Sequence, residues 1–326
     1  MIGETLGKYT ILKSIGTGSM GTVYKAEDTA DGRLVALKLI RSQVLYDREM
    51  RERFLQCLLA ASEACHKGIC PILEIGDDND DFFVVMPFIE GRPLDQYLER
   101  KPLPWQAALD IAIAAGEALE AAHLAGAIHR GIKPSNIWIQ HDGSVLISDC
   151  GLARFTEIAK RSRIRYSGER ADLADTLVPM AALAYMSPEQ IRGEAVDHRA
   201  DIFSFGAVCY EMLTGRHPFD ARSALSRMSA ILEADPPDFG SKPGLIPDRL
   251  ERAIRRALAR DPKERFQTMT ELLAELHAVR DCDATDKSPM LEPLSGSRLS
   301  GLTLWGLGLA ILILICAAAF MIVRGW

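Results

Sequence analysis

The chain has 326 residues, a formal net charge of −6 and 25% charged side chains. Its length allows one large two-lobed domain or two ordinary domains. The acidic balance argues against nonspecific nucleic-acid binding, so no nucleic-acid partner is expected. The seven cysteines are scattered and contain no C-x-x-C pair, which favours a reducing compartment over a disulfide framework or a zinc site.

The first quarter of the chain has the pattern of strands with one helix. Helical periodicity covers residues 47–66, and the predicted strands lie at 9–15, 23–27, 33–40, 72–76 and 82–88. The N-terminus lacks the apolar segment of a signal peptide, so no cleavable signal is expected.

Two features of this strand region suggest a phosphate site. Gly16, Gly18 and Gly21 form a turn between the first two strands, and glycines let a backbone fold closely over phosphates. The same spacing also fits a plain hairpin turn or a dinucleotide-binding fold. Lys38 ends the apolar run Val35–Leu37, where it either binds an anion or extends its stem to solvent.

The rest of the chain is mostly helical in pattern, over residues 94–126 and 186–280. Between these regions, residues 129–136 read His-Arg-Gly-Ile-Lys-Pro-Ser-Asn, and Asp149 follows a short predicted strand at 145–148. Asp149 is a candidate metal ligand, although an ordinary Asp-x-Gly turn would look the same.

In their order and spacing over residues 9–280, these motifs resemble the eukaryotic-like (Hanks-type) serine/threonine protein kinases, particularly the membrane-anchored bacterial ones. Lys133-Pro134-Ser135-Asn136 matches the serine/threonine version of the catalytic loop. The resemblance implies an α+β, two-lobed protein kinase fold. Its β-rich N-lobe would span 9–90 and its helical C-lobe 91–280.

The resemblance also implies the site. Lys133 would assist catalysis, and Asn136 and Asp149 would hold magnesium. Glu189 would pair with Arg265, and Asp201 would support the catalytic-loop backbone. Together with Asn136, the ATP pocket would be formed by Ile15, Gly16, Gly18, Gly21, Val23, Ala36, Lys38, Met86 and Ile89.

Four departures from the family fall in this site. Gly131 stands where the family has the aspartate that accepts the substrate proton. Ungapped matching places Cys57 where the family has the glutamate that pairs with Lys38. Cys150 replaces the phenylalanine of D-F-G, and Ala182 replaces a threonine that would bond the missing aspartate. All four changes impair the same reaction.

Three hypotheses follow. The leading one is a pseudokinase that binds ATP, with magnesium, and acts as a scaffold or allosteric regulator of an unknown protein. The second is an active serine/threonine kinase of low or unconventional activity, since a general base is typically worth ~10²–10⁴-fold in rate. The third is a kinase-shaped module that no longer binds nucleotide.

The predicted activation segment, residues 149–189, is long and locally basic. Its length and basic charge indicate either a solvated loop or a docking surface for an acidic partner, a phosphorylated partner or anionic lipid. Candidate phosphorylation sites are Thr156, Ser162, Ser167 and Thr176. Within residues 154–170 the basic side chains are Arg154, Lys160, Arg161, Arg163, Arg165 and Arg170.

The C-terminal end predicts a membrane anchor. Residues 281–300 are rich in Ser, Asp and Pro and predict a flexible juxtamembrane linker. Residues 301–323 carry no charge, and at ~1.5 Å per residue they match a ~30 Å hydrocarbon core. We expect a single-pass protein of the cell membrane with a cytoplasmic kinase domain. Gly306 and Ala310 permit helix dimerisation.

Overall fold

The fold comes from a computed structural model. The structure describes residues 1–18, 21–40, 52, 66–78, 81–99, 101–150, 183–240 and 245–282. These residues lie in one compact unit, Met1–Pro289. They form a β-rich N-lobe and a helical C-lobe, as predicted.

The N-lobe is built on a six-stranded antiparallel sheet. The strands are β1 (Thr5–Leu6), β2 (Tyr9–Thr17), β3 (Gly21–Asp28), β4 (Leu34–Ile40), β5 (Glu74–Asp78) and β6 (Asp81–Pro87). In space they follow the order β1-β2-β3-β4-β6-β5. Because β1 pairs with β2, the sheet begins upstream of residue 9.

Alternation along β4 explains how the sheet is oriented. Val35 and Leu37 are buried in a core cluster with Ile11, Phe83 and Val85 on one face. Because successive side chains of a strand point to opposite faces, Ala36 and Lys38 lie on the other face. That second face carries the residues of the candidate site.

The C-lobe combines a small sheet with helices. The sheet contains β7 (Gly91–Pro93), β8 (Ile137–Gln140) and β9 (Val145–Ile147) in that order. The described helices are α1 (Asp95–Leu98), α2 (Trp105–Leu124), α3 (Pro188–Arg192), α4 (Arg199–Thr214), α5 (Ala224–Glu233), α6 (Asp248–Ala257) and α7 (Met269–Cys282), and a 3-10 turn covers Pro134–Asn136.

Helix α4 forms the centre of this lobe. Nearly all its side chains are buried, which is the pattern of a helix surrounded by protein. A Cβ at Gly206 would lie 2.9 Å from the Cβ of Ala257, so the backbones of α4 and α6 approach closely there. Asp201 lies buried at the start of α4, where its carboxylate bonds the loop at 129–136.

Several predicted elements differ from the structure or fall outside it. The strand expected at 72–76 occupies Glu74–Asp78, and β1, β7 and β8 were not predicted. Of the expected helix at 47–66, the structure describes Glu52 and His66. Glu52 is helical and His66 is not. The linker was predicted to begin at residue 281, but Asp281 and Cys282 still belong to helix α7. The rest of the linker, 283–300, and the span at 301–323 lie outside the described residues. Within the described ranges, no helix has the length and apolar character needed to cross a membrane.

Candidate functional site

Strand register places four predicted site residues on one face of the N-lobe sheet. Val23 pairs with Lys38, and Ala36 pairs with Met86. Because directly opposed residues of antiparallel strands share a face, all four side chains lie opposite the core cluster. Lys38 reaches from this face to Asp149, so the face lines the cleft between the lobes.

The glycine-rich turn owes its glycines to different causes. A Cβ at Gly21 would lie 1.8 Å from the carbonyl oxygen of Leu39, so the neighbouring strand requires glycine there. Gly16 and Gly18 have no atom within 4 Å of a Cβ position. The Gly18 N–H donates to the Gly21 carbonyl at 2.8 Å and closes the turn. Ile15, just before the turn, is exposed. The open space above Gly16 and Gly18 is where a ligand could approach the backbone.

An ion pair joins the two lobes. The ammonium of Lys38 lies 2.8 Å from Oδ2 of Asp149, and the lysine side chain is only 8% exposed. Burial would raise the pKa of the Asp149 carboxyl, but Lys38 outweighs burial and holds that pKa below its usual value. Among the described residues, Asp149 is the one carboxylate paired with Lys38. The predicted substitution at Cys57 lies outside them.

A buried carboxylate holds the loop at 129–136 in position. Asp201 accepts the backbone N–H groups of His129 at 2.8 Å and of Arg130 at 2.6 Å. Nε2 of His123 lies 2.9 Å from the same carboxylate. Burial would raise the pKa of Asp201, but these donors outweigh burial and lower it. The predicted support of the loop by Asp201 is therefore present in the geometry.

Two residues at the cleft have a constrained backbone, Arg130 in the loop and Asp149 after β9. Arg130 has a φ of 62° and Asp149 a φ of 65°, values that non-glycine residues rarely adopt. The bond from the Arg130 N–H to Asp201 stabilises the first of these conformations. Gly131 is not among the described residues with positive φ, so its conformation does not itself demand glycine.

His129 and Asn136 fix the shape of the loop around Gly131. Nδ1 of His129 accepts the Gly131 N–H at 3.2 Å, so Nε2 carries the proton donated to the Ser148 carbonyl at 2.9 Å. Burial lowers the pKa of His129, which keeps the ring neutral. Nδ2 of Asn136 donates to the Gly131 carbonyl at 2.8 Å. Both backbone groups of Gly131 are thus bonded, but no side chain is present to accept a proton.

Lys133 places a second ammonium group at the cleft. Burial lowers the pKa of its amine, whereas the nearby charge of Asp149 opposes that shift. The Lys133 carbonyl accepts the Asn136 N–H at 3.0 Å. Within the described part of the chain its ammonium makes no hydrogen bond or ion pair, so the ammonium donors remain available.

The segment between the lobes offers a backbone donor. Met86 is buried at the end of β6, and Ile89 is half-buried in the connection to β7. No hydrogen bond involves the Ile89 N–H within the described ranges. An unsatisfied N–H beside an apolar sheet face suits a flat polar ligand, since partly buried backbone groups need partners.

Cys150 cannot supply the chemistry lost at Gly131. Its side chain is buried in the position after Asp149, and burial raises the pKa of its thiol to about 12. The group therefore stays a neutral thiol near pH 7, and a thiol is a poor proton acceptor. Ala182 lies outside the described residues.

The predicted pair of Glu189 and Arg265 is confirmed. Both side chains are buried, and two parallel contacts of 2.7 and 2.8 Å join the guanidinium to the carboxylate. The remaining guanidinium donors bond the carbonyls of Ala259, Arg199 and Arg260. All five N–H donors of Arg265 are therefore satisfied.

Sequence reasoning missed His123, which links α2 to Asp201. It lies 78 residues from Asp201 in a helix whose pattern is otherwise apolar, so no local spacing marked it. A lone histidine on a helix is normally uninformative.

Comparison with known proteins identifies the family. The family model described as "Protein kinase domain" matches residues 9–277. The chain is 34% identical over 285 residues to the serine/threonine-protein kinase PrkC of Bacillus subtilis. The matched region covers 87% of this chain and 42% of PrkC. It is 33% identical over 275 residues to PknL of Mycobacterium tuberculosis, covering 84% of this chain and 66% of PknL.

The chain belongs to the serine/threonine protein kinase family. The match spans about two fifths of the length of PrkC. Among solved structures, the kinase domain of M. tuberculosis PknI matches with a TM-score of 0.65 at 24% identity, covering 86% of this chain and 99% of that structure. A likeness at that identity supports the two-lobed kinase fold alone.

Kinase-family proteins in general use ATP and magnesium, and the ligand types of the site suit the metal. Magnesium prefers carboxylate and carbonyl oxygens together with substrate phosphates. Asp149 supplies a carboxylate. Since Nδ2 of Asn136 bonds Gly131, its Oδ1 is free of hydrogen bonds within the described residues. These two residues would hold the metal, which would neutralise phosphate charge when bound.

Proposed function

We propose that this kinase-family protein binds ATP but is catalytically impaired, and that it acts as a scaffold or allosteric regulator. The observation that carries this proposal is the loop at 129–136. The contacts that position the loop are present, whereas residue 131 has no side chain to serve as the base. Without that base, the substrate hydroxyl must lose its proton unaided.

Nucleotide binding is supported by the cleft itself. Val23, Ala36 and Met86 offer an apolar surface for a base, and the Ile89 N–H offers a donor beside it. Lys38 and Lys133 provide positive charge deeper in the cleft. An apolar slot with a few placed polar groups is the usual form of a small-molecule site.

A second candidate function is phosphate transfer to protein serine or threonine at a low rate. Lys38, Lys133, Asn136 and Asp149 remain, and phosphoryl transfer depends mainly on positioning and charge stabilisation. Loss of a base at a cost of ~10²–10⁴-fold would leave measurable activity in an otherwise complete site.

The proposal also covers how the domain is attached to the membrane and where a partner would bind. We propose that residues 301–323 hold the protein in the cell membrane, with the kinase domain cytoplasmic and Gly306 and Ala310 allowing dimers. The regulated protein would contact the described domain or the basic segment 154–170.

The deciding experiment is γ-phosphate transfer by the full-length protein in detergent. Labelled ATP would be supplied with Mg²⁺ or Mn²⁺, using the protein itself and a generic basic protein as acceptors. We expect no more label than in a Lys38→Ala control. Label that disappears in the control would establish the second candidate instead.

A further inference from the structure

The feature that leads furthest is the indole of Trp138, an aromatic side chain in the small C-lobe sheet. Trp138 lies in β8 between Ile137 and Ile139. Both isoleucines are buried, whereas Trp138 is half-buried. Because successive side chains of a strand point to opposite faces, the indole lies on the more open face of this sheet.

The strand register places this open face beside the cleft. Trp138 pairs with Leu146 in β9, so the two side chains share a face. Ser148 follows two residues later, and Asp149 after it bonds Lys38 of the N-lobe sheet at 2.8 Å. The indole therefore lies next to the point where the two lobes meet.

A hydrogen bond fixes the orientation of the indole. Nε1 of Trp138 donates to Oγ of Ser148 at 3.2 Å. Ser148 is itself held in place, because its backbone N–H donates to the Asn136 carbonyl at 2.9 Å. With its polar edge bonded to Ser148, the indole extends across the end of β9. Its broad face is then available for contact with another flat ring.

The opposite wall of the cleft is the second face of the N-lobe sheet. Val23, Ala36 and Met86 make that face apolar. Lys38 extends from the same face to Asp149, so this face and the indole border one cleft. Together they form a slot for a flat ring. Stacking of a base on an aromatic side chain is worth about 5- to 150-fold in affinity.

We propose that Trp138 is a binding residue of the cleft and that its indole stacks on the base of the bound nucleotide. This inference rests on the proposed nucleotide-binding function. Part of the affinity then comes from the base rather than from the phosphates. A purine nucleoside without phosphates, such as adenosine, therefore binds in the same slot.

The first test is the tryptophan fluorescence of the full-length protein in detergent, titrated with ATP and Mg²⁺ or with adenosine. A base stacked on an indole quenches its emission, so we expect both ligands to quench the unaltered protein. Trp138→Phe keeps an aromatic ring and the other three tryptophans, Trp105, Trp305 and Trp326. This variant should lose the quenching while binding ATP within about threefold of the unaltered protein. Quenching that persists in Trp138→Phe would overturn the inference.

Calorimetric titration with ATP and Mg²⁺ supplies the second test. We expect Trp138→Leu, which keeps an apolar side chain without an aromatic face, to bind ATP at least about fivefold more weakly. Trp105→Leu, which alters another half-buried tryptophan at the start of α2, is the matched control and should bind as the unaltered protein does.

The other outcomes separate this inference from the proposed function. Unchanged ATP affinity in Trp138→Leu would overturn stacking, and tighter binding would show that the indole itself obstructs the slot. ATP binding without quenching of the unaltered protein would also overturn the inference while leaving nucleotide binding intact. Absence of ATP binding by the unaltered protein would overturn the proposed function and this inference together.

Discussion

Gly131 stands at a position where only the side chain has been lost. Its N–H and carbonyl are both bonded, to His129 and Asn136, so an aspartate there would keep the same backbone contacts. Its φ does not demand glycine either. The backbone of residue 131 is therefore compatible with an aspartate, and the effect of that substitution on activity tests the rest of the site.

We expect Gly131→Asp alone to raise phosphate transfer by far less than the ~10²–10⁴-fold that a base contributes in a complete site. The reason is that Lys38 is held by Asp149 and has no second acid among the residues that the structure describes. Single-turnover transfer of labelled phosphate would measure the change, with Gly131→Asn as a control of similar size that cannot act as a base. A gain of about 10²-fold or more would mean that Lys38 has the partner it needs.

At the scale of elements, buried polar contacts connect the helices of the C-lobe. Glu189 in α3 and Arg265 in the segment between α6 and α7 form a buried pair. The guanidinium of Arg265 also lies 5.0 Å from the ring of Phe203 in α4, within cation–π distance. Three elements are therefore joined at one cation.

Glu189→Gln should destabilise the domain by about 3–5 kcal/mol, because it leaves the Arg265 charge buried without its counter-ion. Urea unfolding would measure this loss. As a control, Arg249→Gln removes the exposed pair with Glu275 and should cost no more than about 1 kcal/mol. Equal costs for the two variants would contradict the importance assigned to burial.

The contacts between elements also differ in how well they could be predicted from the sequence. Patterns with fixed spacing, such as those of Asp201, Glu189 and Arg265, placed their residues correctly because the chain itself carries the spacing. The salt bridge between Lys38 and Asp149 was not predicted, because it depends on how the lobes close across 111 residues. Strand β5 was placed two residues early because Ile72 and Leu73 are apolar and resemble the start of a strand.

At the scale of the whole molecule, the described domain accounts for the family but not for its cellular context. The two lobes and the cleft follow from residues 1–282, whereas the predicted anchor lies beyond them. Length and the absence of charge are the basis for that prediction. The anchor therefore needs a test separate from those of the cleft.

We expect the full-length protein to sediment with membranes and to resist extraction by alkaline carbonate. A chain ending at Cys282 should remain in the supernatant, because it lacks the uncharged segment 301–323 that is expected to span the bilayer. Membrane fractionation with immunodetection would measure both. Replacing Leu312 and Ile313 by arginine should abolish membrane retention, since charges at a helix centre oppose insertion. Retention of that variant would contradict anchoring by residues 301–323.

The bonds from Asp201 to the catalytic-loop backbone have a consequence for how such a protein can evolve. Asp201 bonds main-chain groups at His129 and Arg130, so it stabilises the loop whatever side chain follows. A mutation that removes the proton acceptor at position 131 leaves this support in place. A lineage could therefore lose most of its catalytic rate in one mutational step while its binding partners continued to meet the same surface.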